Sequence, residues 1–105
     1  MQIQIYNTGG NSWRTITIPA NPNTGDRYGG SMNVALIAGI VYFCGGITNE
    51  NTIASCGSYA MARGVFGAVP SMPVPVNHAT YASDGSRMYV VGGRSVSPSP
   101  VLVYI

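Results

Sequence analysis

The residues able to support metal binding, acid–base catalysis or redox chemistry are few in this chain. His78 is the only histidine, and no cysteine, second histidine or pair of carboxylates lies near it at the spacing of a metal site. We therefore expect no metal ion and no cofactor. His78 is instead expected to begin a strand and to hydrogen-bond to neighbouring backbone, a structural role that single histidines often have.

The two cysteines allow two interpretations. Cys44 and Cys56 lie in two strands joined by a loop centred near Glu50, and they are equally distant from that centre. They are therefore plausible cross-strand neighbours, and a disulfide requires Cα atoms within about 7 Å and suitable Cβ directions. Two packed free thiols are the alternative.

The acids and serines do not form a catalytic pattern. Asp26, Glu50 and Asp84 are the only acids, and Asp26 and Asp84 lie in turns, where a carboxylate bonds local backbone. A catalytic pair requires two carboxylates to converge in a dry pocket with separated pKa values. We expect no catalytic residue and no enzymatic activity, because neither an elbow motif nor a base accompanies the candidate nucleophiles Ser55, Ser58 and Ser95.

Composition limits the class of protein further. The chain has 105 residues, 8% of them charged, no lysine and a net charge of +2. A positive net charge this small, spread over the whole chain, predicts neither nucleic-acid nor membrane binding. No apolar run approaches a membrane helix, and residues 1–6 lack the regions of a signal peptide and alternate like a strand. Localisation is therefore not predicted.

A repeated segment organises the elements that must position these side chains. Residues 40–46 and 87–93 are apolar, rich in β-branched and aromatic residues, and each ends in a glycine pair. The second glycines, Gly46 and Gly93, are 47 residues apart, a period typical of repeat architectures. Glycine at these ends permits positive φ or close backbone approach.

The whole chain then divides into β-strands without helical periodicity. Labelled by position within one repeat, the strands run c-d-a-b-c-d-a-b-c, with 40–46 and 87–93 as the two b strands. We interpret residues 1–105 as a single unit of two repeats. The predicted strands are 2–6, 13–18, 29–37, 40–46, 53–59, 65–69, 78–82, 87–93 and 101–105.

Aromatic spacing links the two repeats to a known family. Tyr6 precedes Trp13 by seven residues, and Tyr59 precedes Phe66 by seven. With the Gly-Gly strand ends and the closing Ile18-Pro19 and Met72-Pro73, this pattern resembles the kelch repeat, and Asn77 to Tyr81 followed by Asp84-Gly85 is similar to the galactose-oxidase-like branch. The resemblance implies a β-propeller of four-stranded blades. The branch's copper ligands are not matched here, so its oxidase chemistry is not expected.

Two blades leave two apolar faces open to water. We therefore expect copies to self-assemble into a closed propeller, with a homotrimer of six blades favoured and a tetramer of eight blades next. The predicted function is a non-enzymatic binding scaffold. The alternatives are an inactive fragment of a galactose-oxidase-like enzyme and an engineered or reconstructed repeat.

The longer loops emerge on one face, where binding residues accumulate on rigid scaffolds. Arg27 and Arg94 resemble the kelch positions around the mouth of the central channel, where a guanidinium binds carboxylates; arginines capping loop carbonyls are the alternative. The candidate partner is a protein or a small molecule. The candidate binding face is Arg27, Tyr28, Asn49, Glu50, Asn51, His78 and Arg94, and the candidate structural residues are Trp13, Phe66, Gly45, Gly46, Gly92 and Gly93.

Overall fold

The structure, a computed structural model, describes residues 1–48, 51–94 and 102–104. Every regular element in these residues is a β-strand, and no helix long and apolar enough to cross a membrane occurs among them. The strands are β1 Gln2–Asn7, β2 Ser12–Thr17, β3 Asn33–Ile37, β4 Ile40–Cys44, β5 Ile47–Thr48, β6 Asn51–Thr52, β7 Cys56–Ala60, β8 Val65–Val69, β9 Thr80–Ser83, β10 Met88–Val91 and β11 Leu102–Tyr104.

Antiparallel pairing joins the strands into four sheets. β1 and β2 form a hairpin, β3-β4-β7-β8 form a four-stranded sheet, and β9, β10 and β11 form a three-stranded sheet with β10 in the centre. The short pair β5–β6 lies within the connection from β4 to β7. The prediction of an all-β fold built from antiparallel sheets is confirmed.

Strand boundaries differ from the prediction where the backbone departs from extended geometry. β8 begins and ends as predicted, but β3 begins at Asn33 rather than at residue 29. Gly30 instead forms an isolated bridge with Ile47, and Ser31 adopts a left-handed conformation with φ 57°. The β5–β6 pair was not predicted, because its sequence is that of a polar loop.

The four-stranded sheet has one face toward the β1–β2 hairpin, here called the hairpin-side face. Cross-strand pairing places Val34 opposite Phe43 and Tyr59 opposite Phe66 on this face. Ile3, Ile16 and Ile18 of the hairpin segment pack against this face. Burial of such side chains contributes about 1.5–3 kcal/mol each. The core on this side contains Ile18, Tyr28, Phe43, Ile53 and Tyr59.

The opposite face of the sheet packs against β9 and β10. Ala35, Tyr42 and Cys44 lie on this far face, and Met88 and Val90 of β10 cover it, each 1% exposed. The chain is therefore a stack of three layers, hairpin, four-stranded sheet and three-stranded sheet, with apolar side chains between each pair of layers.

Trp13, one of the candidate structural residues, is 66% exposed in the single chain. Trp13 pairs with Tyr6 at a ring-centroid distance of 5.1 Å, and Phe66 pairs with Tyr59 at 4.6 Å. The two aromatic pairs thus have the same construction but different surroundings. Tyr59 is buried because the hairpin covers its sheet, whereas none of the described layers covers the outer face of the hairpin.

Cys44 and Cys56 form a disulfide. They are directly opposite each other in the β4–β7 ladder, their Cα atoms are 4.1 Å apart, and both are fully buried. The bond closes the loop that contains β5 and β6. Of the two interpretations left open by the sequence, the structure has the disulfide rather than the free thiols.

We predict that this disulfide stabilises the chain measurably. Cross-linking over a sequence separation of 12 restricts the unfolded chain, and loops of this size are worth about 3 kcal/mol. Urea unfolding at fixed protein concentration is expected to give a correspondingly lower free energy of unfolding after reduction. The double variant Cys44→Ala/Cys56→Ala is the control and should not respond to reductant. Alkylation of both cysteines in unreduced, urea-unfolded protein would contradict the assignment.

Candidate functional site

Three connections meet at one end of the stacked sheets. They join β2 to β3, β4 to β7, and β8 to β9. The connections are tied by backbone hydrogen bonds: the Gly46 N–H donates to the Val76 carbonyl at 2.9 Å, and the His78 N–H donates to the Ser31 carbonyl at 3.3 Å. This loop face is the region in which the sequence placed the binding residues.

A polar cluster at the boundary between the two larger sheets forms the candidate site. We call Ser31, Thr52, Asn77, His78 and Arg94 the His78 cluster. Ser31 Oγ lies 3.1 Å from His78 Nε2, and the Asn77 side-chain N–H donates to Thr52 Oγ1 at 2.6 Å. His78 Nδ1 also contacts Asn77 Oδ1, which only accepts. Nδ1 therefore carries the proton in neutral His78, and Nε2 accepts from the Ser31 hydroxyl.

Ser31 and His78 occupy equivalent positions in the two repeats. They are 47 residues apart, and both have left-handed backbones, with φ 57° and φ 54°. Each follows a residue in an isolated bridge, Gly30 with Ile47 and Asn77 with Arg94, and these bridges are also related by 47 residues. The repeat thus places one polar side chain just before β3 and one just before β9, and the two side chains meet across the boundary between the two larger sheets.

The glycine pairs make this close approach possible. Gly46 has φ 96°, and a Cβ there would lie 2.7 Å from the Gly30 carbonyl oxygen. Gly93 has φ 87°, and a Cβ there would lie 2.8 Å from the Asn77 carbonyl oxygen. Gly45 and Gly92 also have positive φ. Any side chain at the second glycines would push the loops apart.

A second polar network anchors the connection from β2 to β3. Asn21 is 3% exposed; its amide N–H groups donate to the Tyr28 hydroxyl at 2.8 Å and to the Cys56 carbonyl at 3.1 Å. Its Oδ1 accepts from the N–H groups of Asn23 and Thr24. Because every polar atom of this buried amide is paired, the network fixes the loop instead of offering free groups to a ligand.

Tyr28 belongs to the core and not to the binding face predicted for it. It is 6% exposed, and its ring packs edge-on against Phe43 with centroids 4.8 Å apart. Burial raises the pKa of its hydroxyl, the negative charge of Asp26 raises it further, and the hydrogen bond from Asn21 partly opposes both effects. The sequence interpretation was wrong because loop position alone does not reveal that an aromatic ring turns inward.

Four of the other residues of the predicted binding face are exposed to solvent. Arg27, Asn51, His78 and Arg94 are exposed, and within the described ranges the one ion pair joins Arg87 to Asp84. The Arg27 and Arg94 guanidiniums thus remain open to solvent on the loop side. Asn49 and Glu50 lie outside the described residues.

The acids have two different roles. Asp84 Oδ1 accepts from the N–H groups of Ser86 and Arg87 at 2.9 and 2.8 Å, and these bonds hold the pKa of its carboxyl below the ordinary value. Asp26 does not bond its own turn as expected; its carboxylate accepts from the Ser55 hydroxyl, which also contacts Thr24. The hydroxyl of Ser55 therefore donates to the Asp26 carboxylate and links this turn to the segment just before β7.

The site offers hydrogen-bond donors and acceptors on a rigid frame. In the part of the chain that the structure describes, no three histidine, cysteine or acidic side chains are grouped as metal ligands require. His78 bonds the side chains of two neighbours, which the sequence interpretation did not anticipate. Sequence reasoning also missed Ser31, Thr52 and Asn77, although the 47-residue spacing from Ser31 to His78 was a usable signal.

One of the comparisons with known proteins finds a similarity to a kelch protein. No family model matches the chain. A kelch domain-containing protein of Pyrococcus furiosus is 29% identical to it over 91 residues. The aligned region covers 87% of this chain but 26% of that relative, so the chain spans about a quarter of the relative's length.

We predict that position 78 tolerates asparagine far better than valine. A β-branched residue resists φ 54°, at a cost of about 1–2 kcal/mol, and loses a hydrogen-bonded side chain worth about 1 kcal/mol. Asparagine tolerates this conformation and keeps polar groups. Urea unfolding should therefore show His78→Val destabilised by about 2–3 kcal/mol and His78→Asn by about 1 kcal/mol. Thr80→Val, in extended β9, is the control; equal losses for both variants at position 78 would contradict the assigned role.

Proposed function

We propose that the chain is a non-enzymatic, kelch-type propeller unit that assembles with copies of itself into a closed ring and presents its loop face to a protein or small ligand. The observation that carries this proposal is a correspondence between faces. The uncovered side of the three-stranded sheet and the part of the hairpin-side face that the hairpin leaves exposed correspond, at a spacing of 47 residues, to the two faces that already pack against each other inside the chain.

The internal boundary provides the template. There the far face of the four-stranded sheet contributes Ala35, Tyr42 and Cys44, and β10 covers them with Met88 and Val90. The boundary is lined mainly by apolar side chains, and its two layers come from consecutive repeats. A ring of such blades repeats this boundary at every step.

The open faces reproduce both sides of that template. On the uncovered side of the three-stranded sheet, here called the free face, Ala82, Tyr89 and Val91 stand 47 residues after Ala35, Tyr42 and Cys44. On the hairpin-side face, Val41 and Phe43 stand 47 residues before Met88 and Val90. The free face of one copy therefore carries the partner groups for the hairpin-side face of the next.

Exposure supports a second copy as the occupant of these faces. Val34 and Leu36 of β3 are 39% and 58% exposed, and Val91 is 48% exposed. A groove of about 360 Å³ runs between β1 and the strands β3 and β4 on the hairpin-side face. Apolar patches of this kind on a small chain favour burial against another surface.

The contact joins two different faces, so it is heterologous and generates either a ring or a filament. The blades are expected to be wedge-shaped. The strands nearest the ring axis, β3 and β9, carry small side chains such as Ala35 and Ala82, and the strands at the rim, β2 and β8, carry large aromatics such as Trp13 and Phe66. We infer closure with six blades in a homotrimer, with eight blades in a tetramer next. The same faces would also take further blades of a longer polypeptide, and mass measurement distinguishes these occupants.

A binding role at the loop face rests on the exposed arginines. Arg27 and Arg94 are exposed at the end of the stack where the His78 cluster lies, and guanidinium groups bind carboxylates through paired hydrogen bonds. The proposal contains no reaction. The carboxylates of Asp26 and Asp84 are engaged in hydrogen bonds that hold loops and turns, which supports structural roles for both.

We predict that Leu36→Glu prevents assembly. The change places a charge where the next copy would bury an apolar side chain, which weakens each contact by about 3 kcal/mol, more than about a hundredfold in the dissociation constant. Sedimentation velocity at micromolar concentration should give an oligomer for the unmodified chain and a folded 11.0 kDa monomer for the variant. Ala62→Glu, in the exposed turn between β7 and β8, is the matched control and should remain oligomeric. An oligomer that survives Leu36→Glu would refute the proposed contact.

We also predict that the fluorescence of Trp13 reports the assembly. It is the chain's one tryptophan and is 66% exposed in the single chain. In the ring, the aromatic pair Tyr6–Trp13 is covered as Tyr59–Phe66 is covered now. Emission should therefore shift to the red on dilution below the dissociation constant, and Leu36→Glu should show red-shifted emission at all concentrations. Emission that is independent of concentration in an oligomer that dissociates would contradict burial of Trp13.

A further inference from the structure

β11 pairs with the edge of β10 in a register that differs from the register of the equivalent strands in the complete, four-stranded sheet. In the four-stranded sheet β4 pairs with β7 over five residues, with Tyr42 opposite Ser58. β10 pairs with β11 over three, and Tyr89, which stands 47 residues after Tyr42, lies opposite Tyr104. Aligned by their tyrosines, Tyr104 corresponds to Tyr59, so the register of the complete sheet would place Val103 opposite Tyr89. β11 is therefore displaced by one residue, a slip that exchanges the two faces of a strand.

β1 carries the sequence that suits this edge. Tyr6 lies opposite Trp13 as Tyr59 lies opposite Phe66, so β1–β2 is equivalent to β7–β8. Applied to β10, that equivalence places Ile5 opposite Tyr89. It also directs the side chain of Ile5 to the apolar free face, because Tyr89 belongs to that face.

The stacking of copies brings β1 and β11 into competition. The hairpin already packs over Tyr59 and Phe66 on the hairpin-side face, and β1 borders the groove where β9 and β10 of another copy would lie. When those strands fill the groove, β10 of one copy runs beside β1 of the next. The edge of β10 accepts one of the two strands, not both.

We propose that β1 of a second copy displaces β11 from β10, so that β9 and β10 of one chain and β1 and β2 of the next form one four-stranded blade. This inference rests on the proposed self-assembly. The exchange replaces three residue pairs with the in-register strand and adds β2 with its aromatic pair. In the free chain β11 covers an edge that would otherwise pair indiscriminately.

The hydrogen-bonding pattern of β1 supports an accepting role for its outer edge. The Ile18 N–H donates to the Met1 carbonyl at 2.9 Å, and bonded pairs alternate along an antiparallel ladder. Ile3 and Ile5 therefore direct their N–H groups to β2, whereas Gln4 directs its N–H to the unpaired edge. Proline at position 4 removes that outward donor and spares the hairpin's own bonds.

Two full-length variants test the exchange. Val103→Pro weakens the pairing of β11 with β10 and is expected to tighten the apparent dissociation constant of the oligomer about tenfold, because it removes a competing state. Gln4→Pro is expected to weaken assembly about tenfold or more. Sedimentation equilibrium measures both. Unchanged or weaker assembly of Val103→Pro, or unchanged assembly of Gln4→Pro, would overturn the exchange.

Amide hydrogen exchange of the unmodified chain provides an independent measurement. The amides of β11 that bond to β10 should be protected in the dilute monomer and should lose protection in the oligomer, while amides of β1 should gain it. Protection of β11 in the oligomer equal to that in the monomer would refute the exchange even if the proline variants fail to fold. A chain that remains monomeric at all concentrations would instead refute the proposed self-assembly.

Discussion

Apolar packing between the faces of successive sheets is the interaction on which the rest of this structure depends. The four-stranded sheet is covered on one side by the hairpin and on the other by β9 and β10, and its cysteines and aromatic residues are buried between them. With 46% apolar residues and a charged fraction of 8%, the chain has little else with which to hold its layers together. The sheets of the described chain therefore depend on packing against one another.

Polar contacts act within the limits that this packing sets. The boundary between the larger sheets is apolar in its middle, and the loops close it at one end through Gly46, Gly93 and the bond between Ser31 and His78. The repeat therefore specifies a core and, at the same spacing, a polar contact that ties the two larger sheets together. The loop face owes its rigidity to these contacts and to the buried amide of Asn21.

Much of the architecture was readable from the sequence because its signals are local and repeated. Alternation of side chains, glycine pairs and turn residues located most strands, and Val65–Val69 was placed correctly at both ends. The start of β3 was not, since the left-handed backbone of Ser31 depends on its contact with His78 across the sheet boundary. The local propensities of the residues around Ser31 do not predict a contact with a residue so distant in the sequence.

Burial was harder to predict than strand position. Tyr28 was assigned to a binding face, but it turns inward because Asn21 bonds its hydroxyl and Phe43 offers a ring edge. The exposure of Trp13 in the single chain could not be read from its type and spacing, because burial depends on whether another layer covers it. The disulfide stayed undecided because equal distance from a loop centre does not fix strand register, which the β4–β7 ladder supplies.

Native mass spectrometry of the unmodified chain at micromolar concentration tests the central claim, that the open faces of one copy are completed by another, most directly. The account predicts a dominant species near three chain masses of 11.0 kDa, a six-bladed ring. A species near four chain masses would contradict closure of the ring with six blades but would agree with self-assembly. A folded monomer under the same conditions would contradict the claim that these faces bind each other.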